Sequence, residues 1–439
     1  MAADPCRVAE SWLLDPRAML PARRFLPCPG PGCSPAALLA SWLCAGSTPP
    51  GWLNSPGRQV ILTHQARTAL GLLSDLLGLG PDDEVLLPAY NCGAEVDPFV
   101  QAGCRVTFYQ VDRSANANIA DIRRRMSGAT RLIHVTHFFG WPQDLEALSA
   151  LCRERKVTLV EDCAQALFSE GTSPAIGKWG DAMIYSFVKF LALPDGGALV
   201  LNEELAASFA QMTSHRDSSS PELRPCCPRP EAGERVSRGG GRRMRPRAAS
   251  TFKASLHLFK KWVMQHNPCL FRYAWGRRLL VRSWLPRPDH RVAGGRWEML
   301  SSNRFLQSQR GWQMSRSAGG LLEQANPREI VARRRRNFSR FHDRLKRGLH
   351  LVPLHDSLPA GVCPLSYPVY AKDPCTARTF LEHQGIQVQG WPGYYPGMPW
   401  GDYPDACALK DNLLTLPVHQ DLSLAQMDYI AQCANSLDR

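Results

Sequence analysis

Short apolar runs alternate along residues 58–205 with segments whose apolar residues recur at the spacing of an amphipathic helix. The runs predict strands at 84–88, 105–111, 131–136, 157–160, 182–185 and 198–201, and the helical spacing predicts helices at 67–79, 95–102, 119–126 and 144–155. Strands that are apolar throughout and alternate with helices are typical of a mostly parallel sheet covered on both faces. The pattern therefore predicts an α/β domain.

Changes in composition divide the whole chain into four predicted parts. These are an irregular N-terminal arm at 1–57, the α/β domain at 58–210, a basic insertion or linker at 211–300, and a smaller α+β domain at 301–439. The last part begins with a long basic helix, from about 327 to 345, and contains a further helix at 376–384.

The insertion contains two different kinds of segment. Residues 217–250 are rich in Pro, Gly and Arg, which is typical of a mobile loop. Residues 251–285 combine apolar and basic side chains. They predict either a helix packed on the body of the protein or a basic amphipathic helix at a membrane surface.

Composition narrows the class of protein. The chain has 439 residues, of which 44% are hydrophobic, and no apolar run approaches the roughly 18 residues of a membrane span. The N-terminus lacks the basic-then-apolar order of a secretory signal, so we expect a cytoplasmic protein. The 15 cysteines are scattered without metal-ligand spacing. They are expected to be thiols in a reducing compartment, and no metal site is expected.

The charge is strongly basic, with 52 Lys and Arg against 39 Asp and Glu, a net +13. Much of the excess lies in arginine runs at 242–247 and 333–336. Such runs indicate either solvated faces or attraction to anions such as nucleotide phosphates or acidic lipid. No nucleic-acid-binding motif accompanies them, so nucleic acid is not an expected partner.

Candidate catalytic residues lie where strands of the predicted sheet end, which is where ligands bind in open α/β sheets. Asp162 and Ser186 each close a strand, and Lys189 follows Ser186 before a Gly-Gly turn. Residues 63–68 lead into a helix N-terminus, which favours phosphate. Pyridoxal phosphate needs this set: a Schiff-base lysine, a carboxylate beside the pyridine nitrogen, and a phosphate cup. Lys178 is the closest competitor for the lysine.

A family resemblance rests on a series of motifs. The segment Glu161-Asp162-Cys163-Ala164-Gln165-Ala166 resembles the signature of the DegT/DnrJ/EryC1/StrS sugar aminotransferases, which are pyridoxal-phosphate enzymes of fold type I. Further stretches fall in the family's order: residues 83–90, 137–140, 180–187, 195–198, 385–392 and 416–420. The resemblance covers about 58–205 and 300–435. It implies the fold-type I architecture, a mostly parallel sheet flanked by helices with a smaller C-terminal α+β domain.

The resemblance also implies roles for individual residues. Lys189 would be the Schiff-base lysine and Asp162 the partner of the pyridine nitrogen. Gln165 would contact the ring region and Ser186 the phosphate. The phosphate turn would be formed by Gln65, Ala66 and Arg67, and an aromatic that stacks on the ring in the family is replaced here by Asn91 and Cys92. Gln313 stands where the family has an Asn that reaches the partner subunit's phosphate.

The chain departs from the family pattern at four places, one of which is the insertion near 217–250, for which the family has no clear counterpart. Lys189 follows Ser186 by three residues, where the family commonly has five, which indicates a shortened loop. Gln65-Ala66 replaces a glycine-containing turn, and Gln313 replaces the Asn.

By resemblance, the protein is a homodimeric aminotransferase that moves an amino group from glutamate or glutamine to a keto-sugar, often nucleotide-linked. Two alternatives stay open. One is a dehydratase of the same fold, although such relatives typically have His in place of the lysine. The other is a pyridoxal-phosphate-binding protein with little turnover, in a regulatory or membrane-associated role through residues 242–285. Trp391, Tyr394 and Tyr395 are expected either to stack on a sugar or base or to fill an interdomain interface, and His419 is a weaker substrate-side candidate.

Overall fold

The computed structural model describes residues 48–214, 311–390 and 395–438, apart from positions 55, 347, 349 and 397, and the isolated positions 36, 255, 256 and 259. The strands are β1 Gln59–Thr63, β2 Glu84–Pro88, β3 Arg105–Tyr109, β4 Thr130–Thr136, β5 Thr158–Asp162, β6 Ala182–Ser186, β7 Gly197–Leu201, β8 Leu351–Pro353, β9 Tyr367–Ala371, β10 Gln389–Gly390 and β11 Leu413–Leu416. The described helices are α1 Ala66–Leu76, α2 Gly93–Gln101, α3 Ile119–Arg125, α4 Glu146–Arg155, α5 Glu203–Ser214, α6 Arg316–Glu323, α7 Pro327–Arg344, α8 Pro374–His383, α9 Pro404–Asn412 and α10 Leu424–Asn435.

Seven strands form one sheet in the order β1-β7-β6-β5-β4-β2-β3. Strand β7 runs antiparallel to both of its neighbours, β1 and β6, and the remaining pairs are parallel. The predicted α/β fold with a mostly parallel sheet is therefore confirmed. The six predicted strands are present within one or two residues of their expected bounds. Strand β1 was not predicted.

The carboxyl ends of six strands meet at one edge of this sheet, because β7 alone runs the other way. Thr63, Pro88, Thr136, Asp162 and Ser186 end their strands at this edge. Strands β2 and β7 are buried along their whole length, since helices cover both faces. The edge is therefore a rigid frame on which loop residues can be placed.

Four antiparallel strands form a second sheet, in the order β10-β11-β9-β8. The long helix α7 packs against it and against α10. Asn326 caps α7 through its side chain, and Pro327 starts the helix at a position that needs no backbone donor. Phe338 and Phe341 turn the apolar face of α7 into this second core. Residues 316–438 are called the C-terminal segment below.

Helix α9 joins the C-terminal segment to the larger sheet. Tyr403, Ala406 and Leu409 belong to the same apolar core as strands β2 to β5. The Tyr403 hydroxyl donates to the Phe108 carbonyl oxygen at 2.9 Å. The contact is polar at its rim, where Arg113 pairs with Asp405 at 3.0 Å.

Several predictions fall on parts of the chain outside the described residues. These include nearly all of the arm at 1–57, nearly all of the insertion at 211–300 with its basic segment 242–285, and Trp391 and Tyr394. The division into domains stays a prediction. Within the described residues, no helix is long and apolar enough to cross a bilayer.

Candidate active site

Asp162 is the last residue of β5 and lies buried at the carboxyl edge of the sheet. Its Oδ1 accepts a hydrogen bond from the Ala164 backbone N–H at 2.7 Å. Its Oδ2 lies 3.3 Å from Nε2 of His134. Burial alone would raise the pKa of Asp162, but His134, Lys189 and the Ala164 N–H outweigh it and lower the pKa. The carboxylate is therefore held in its charged form.

His134 sits between two buried carboxylates. It lies on β4, two residues before the residue that pairs with Asp162, and alternation along the strand puts its side chain on the same face as Asp162. Nε2 of His134 is also 3.7 Å from Oε2 of Glu95, which comes from the first turn of α2. Burial opposes a charge on His134, but the two carboxylates raise its pKa to about 9. The cluster is therefore a row of alternating charges.

Glu161 precedes Asp162 and points to the opposite face of the sheet. Its Oε2 is 3.0 Å from Nε2 of His137, and its two oxygens accept from the backbone N–H groups of Gly177, Trp179 and Gly180 at 2.6–2.8 Å. Despite complete burial, these donors lower the pKa of Glu161. Glu161 thus fastens the loop that carries Lys178, whose side chain is exposed on that opposite side.

Lys189 ends a short 3₁₀ turn, Phe187–Lys189, that follows β6 directly. Its charge lowers the pKa of Asp162 and opposes the rise that burial imposes on the pKa of Cys92. The charge of Lys189 thus acts on both side chains, whereas the competitor Lys178 is exposed. The assignment of Lys189 as the Schiff-base lysine stays a prediction.

The C-terminal segment holds the loop after Lys189. The carbonyl oxygen of Phe190 accepts from Nε2 of Gln420 at 2.9 Å and from Arg334 at 3.3 Å. Arg334 is fully buried, its guanidinium lies 4.7 Å from the centre of the Phe190 ring, and its Nε donates to Gln420 at 2.8 Å. These contacts fix the backbone next to Lys189.

The N-terminus of α1 lies beside the start of β7. Gln65 is the N-cap of α1 and makes no side-chain capping bond. A Cβ on Gly197 would come within 2.6 Å of the Ala66 nitrogen, so only glycine fits at this crossing. Gly197 also pairs with Ser186 at the end of β6. The glycine that lets two backbone segments approach closely here is therefore Gly197 on β7, and not a glycine in the turn at Gln65-Ala66.

Arg67 adds a guanidinium to this helix N-terminus. Its Nε donates to Oε1 of Gln65 at 2.6 Å. The pKa of Arg67 is lowered, because the effect of burial exceeds the opposite effect of Cys92 and Asp97. A positive side chain at a helix N-terminus suits an anion.

Several buried polar atoms at this edge have no hydrogen-bond partner within the described part of the chain. They are Nε2 of Gln165, Oγ1 of Thr68 and Oδ1 of Asn91. The Gln165 Oε1 accepts from the Phe139 N–H at 3.0 Å, which leaves its amide donors for another group. Buried unsatisfied polar atoms cost free energy, and such atoms grouped at a strand-end cleft fit a polar ligand.

Gln313 lies in a segment fastened to the same edge. The carbonyl oxygen of Trp312 accepts from the His64 N–H at 3.0 Å, and the Ser315 N–H donates to Oδ1 of Asp195 at 2.9 Å. Gln313 is half-buried between these anchors. Its predicted contact with a cofactor in the partner subunit stays a prediction.

The other sequence candidates have packing roles. His419 is fully buried, its carbonyl oxygen accepts from Asn337 at 2.8 Å, and its Nδ1 accepts from the Asp421 N–H at 3.3 Å. The Tyr395 hydroxyl donates to Asp97 at 3.2 Å, which joins the C-terminal segment to α2.

Sequence reasoning missed His134, Glu95, Arg334 and Lys410. A signal existed for His134, because a histidine two residues before the end of β4 shares a face with the end of β5. No local signal marks the others, since their partners are distant in the sequence.

Comparison with known proteins agrees with this geometry. A 4-aminotransferase of dTDP-4-dehydro-2,3,6-trideoxy-D-glucose from Saccharopolyspora spinosa is 33% identical over 161 residues, covering 36% of this chain and 42% of that relative. GDP-perosamine synthase of Vibrio cholerae is 30% identical over 174 residues, covering 35% and 47%. The chain thus matches less than half the length of these curated relatives.

The fold has solved counterparts. The aminotransferase TlmJ of Streptoalloteichus hindustanus superposes with a TM-score of 0.61 at 21% identity, over 95% of this chain and 99% of that one. The predicted fold type is confirmed. The model of the DegT/DnrJ/EryC1/StrS aminotransferase family matches residues 57–273. Residues 57–273 therefore belong to the DegT/DnrJ/EryC1/StrS aminotransferase family.

Proposed function

We propose that the protein is a pyridoxal-phosphate-dependent aminotransferase that moves an amino group from glutamate or glutamine to a keto-sugar carried on a nucleotide. The observation that carries the proposal is the buried Asp162 carboxylate, whose pKa the charge of Lys189 lowers, at the sheet edge where Ser186 ends β6 and the N-terminus of α1 also lies. Bound there, pyridoxal phosphate supplies an electron sink for the bond that breaks at the amino acid's Cα.

The phosphate fits the N-terminus of α1. The backbone N–H groups at the start of the helix lie at the crossing of Gly197 over Ala66, Arg67 follows in the first turn, and Ser186 pairs with Gly197 across the strands. A helix N-terminus with an adjacent cation is a favourable environment for a phosphate dianion. Gln65 contributes by orienting Arg67.

The pyridine ring fits between Asp162 and the turn that carries Cys92. Asp162 is ionised and so can accept a hydrogen bond from a protonated ring nitrogen. The Gln165 amide has donors available for a polar ring substituent. Cys92 offers a soft, polarizable atom where the family uses an aromatic, and it covers less of the ring.

Lys189 is the residue we propose to link covalently to the cofactor and to carry the proton of the donor's Cα. Its position at the end of a turn anchored at Phe190 holds the backbone of the lysine in place at the sheet edge. A lysine on a fixed backbone can act first as nucleophile and later as base.

The substrate class rests on the relatives. The two relatives compared above are named for a dTDP-linked and a GDP-linked sugar product or substrate. The net charge of +13 suits a nucleoside diphosphate. Glutamate or glutamine as donor follows from the family resemblance. A homodimer, with Gln313 reaching the partner's phosphate site, is part of the same proposal.

The test measures the two half-reactions separately. The protein loaded with pyridoxal phosphate is mixed with glutamate alone, and formation of 2-oxoglutarate is followed in wild type, Lys189→Ala and Lys178→Ala. We expect one equivalent of 2-oxoglutarate per site in wild type and Lys178→Ala, and none in Lys189→Ala. Cofactor binding without product in all three would favour the binding-protein alternative.

A further inference from the structure

Lys410 places a second amine at the wall of the same cleft. It lies on α9 and is 6% exposed. Its Nζ donates to the Asn91 carbonyl oxygen at 3.0 Å and lies 4.8 Å and 5.7 Å from the ring centres of Trp400 and Tyr90. The contact spans 319 residues of sequence. The C-terminal segment thus inserts a lysine behind the turn between β2 and α2.

This turn is held from two sides. From within, Nδ2 of Asn91 donates to the carbonyl oxygens of Pro88 and Ala89 at 2.8 Å and 3.1 Å. From the C-terminal segment, Nζ of Lys410 donates a hydrogen bond to the carbonyl oxygen of Asn91 itself. The next residue, Cys92, is the N-cap of α2, and the charge of Lys189 acts on its thiol. Lys410 therefore holds the backbone of the turn directly before Cys92.

Lys410 also extends the row of alternating charges. Burial lowers the pKa of Lys410 to about 7, against the opposing effect of Cys92, Glu95, Cys407 and Asp411. Glu95 is the carboxylate that lies beside His134. Read from the C-terminal segment inward, Lys410, Glu95, His134 and Asp162 are buried groups of alternating sign, and the partly exposed Lys189 follows Asp162.

A buried lysine of this kind lowers the stability of the fold. The pKa of Lys410 is lower in the folded state than in the unfolded chain. Folding near neutral pH therefore removes part of the proton from the Lys410 amine, which costs free energy. The loss of stability is complete below pH 7 and disappears as the pH rises toward the unfolded value of about 10.4. A methionine has similar length and carries no such cost. The lysine is thus unfavourable for folding alone.

We propose that Lys410 is a positioning residue of the cofactor site, which holds the 88–92 turn against the cleft and balances the charge of Glu95 behind Asp162. The inference rests on the proposed function. It assigns to the C-terminal segment a direct part in forming the wall of the cleft in the same chain, besides the anchoring of the Lys189 loop.

The test compares Lys410→Met and Lys410→Gln with wild type. Lys372→Met is the matched control, since Lys372 is an exposed lysine of the same segment. Each apo protein is titrated with pyridoxal phosphate at pH 6, 7, 8 and 9 to obtain Kd, and its melting temperature is measured at the same pH values. Neither readout depends on turnover.

We expect Lys410→Met to bind pyridoxal phosphate about tenfold or more weakly at pH 6, with a smaller ratio to wild type at pH 9, where the lysine is neutral. Its melting temperature is expected to equal or exceed that of wild type at pH 6 and 7. Lys410→Gln keeps a donor for Asn91 and is expected to fall between the two. Lys372→Met is expected to match wild type.

Two results would overturn the proposal about Lys410 and leave the proposed function standing. Wild-type Kd values in Lys410→Met would show that the amine does not position the site, and a loss of binding that parallels a large loss of melting temperature in both variants would show a structural residue only. Failure of wild type and Lys372→Met to bind the cofactor would overturn the proposed function as well.

Discussion

Nε2 of His134 lies 3.3 Å from Oδ2 of Asp162, and both groups are closed off from solvent. Asp162 follows Glu161, whose carboxylate meets His137 on the opposite face of the sheet at 3.0 Å. Two consecutive acids of one strand therefore have separate histidine partners. One pair fastens a loop, and the other lies at the cleft where Lys189 ends its turn.

The His134 pair predicts a specific dependence of stability on pH. The pKa of His134 is raised in the folded state to about 9, so its contribution to stability is complete below its unfolded pKa of about 6.5 and is lost as the pH rises to 9. We expect a loss of about 3 kcal/mol in the free energy of unfolding over that range. Denaturant titrations of the apo protein at a series of pH values measure it.

The control for this prediction is His134→Asn, which removes the titrating group. The variant should be less stable than wild type at pH 6, by about 3 to 5 kcal/mol, because two buried carboxylates lose the cation between them. Between pH 6.5 and 9 its stability should fall less than that of wild type. An identical pH dependence in both proteins would contradict the assignment of charge to His134.

Substitutions of the adjacent residues Arg334 and Arg333 are expected to have very different effects on the free energy of unfolding. Arg334 is fully buried and donates to the carbonyl oxygens of Pro364, Leu365 and Phe190. Arg334→Met should lower the free energy of unfolding by about 3 kcal/mol or more, because those oxygens stay buried without donors. Arg333 is half-exposed and pairs with Glu329 on the same helix. Arg333→Met should cost less than about 0.5 kcal/mol.

The same pair tests the anchoring of the Lys189 loop. At a temperature where Arg334→Met is still folded, its covalent linkage to pyridoxal phosphate should form more slowly than in wild type, since Phe190 has lost one of its two donors. Stopped-flow absorbance measures this rate. Equal rates of linkage in Arg333→Met and Arg334→Met would show that Arg334 does not help to position Lys189.

Gly197 predicts that one methyl group can disturb the phosphate turn. In Gly197→Ala the new Cβ would lie 2.6 Å from the Ala66 nitrogen and from the Gln65 carbonyl carbon, so the start of α1 must shift. We expect the Kd for pyridoxal phosphate to rise about tenfold or more, the equivalent of one strong hydrogen bond. Equilibrium titration of the apo protein measures it.

Gly80→Ala is the matched control for Gly197→Ala. A Cβ at Gly80 would have no neighbour within 4 Å among the described atoms. Its Kd should equal that of wild type, and its stability should change by less than about 0.5 kcal/mol. Tight binding in Gly197→Ala would mean that the phosphate does not lie at the start of α1.

The sequence predicted the larger sheet well because its signals are local. Each apolar run between 84 and 201 is long enough to define a buried strand, and the side chain of Asn118 marks the start of the helix at Ile119 by accepting from the Asp121 N–H. Strand β1 was not predicted, because it pairs with β7, which is 134 or more residues later in the sequence. Such pairings leave no periodic pattern in the strand itself.

The candidate site was predictable in part for a similar reason. Asp162, Ser186 and Lys189 lie at strand ends or next to them, and parallel strands bring their ends together. Lys410 could not be found, because its environment is built from Asn91, Trp400 and Glu95, and α9 alone looks like a surface helix. The close approach of Gly197 to the backbone of Ala66 could not be predicted either, because the two residues are far apart in the sequence and meet only in the folded structure.

The most direct test of the account is to locate the covalent link to pyridoxal phosphate. The wild-type protein is loaded with the cofactor, reduced with borohydride and digested, and the labelled peptide is identified by mass spectrometry. We expect a single labelled peptide that contains Lys189, and no labelled peptide in Lys189→Ala. Label on Lys410, on Lys178 or spread over exposed lysines of the wild type would contradict it.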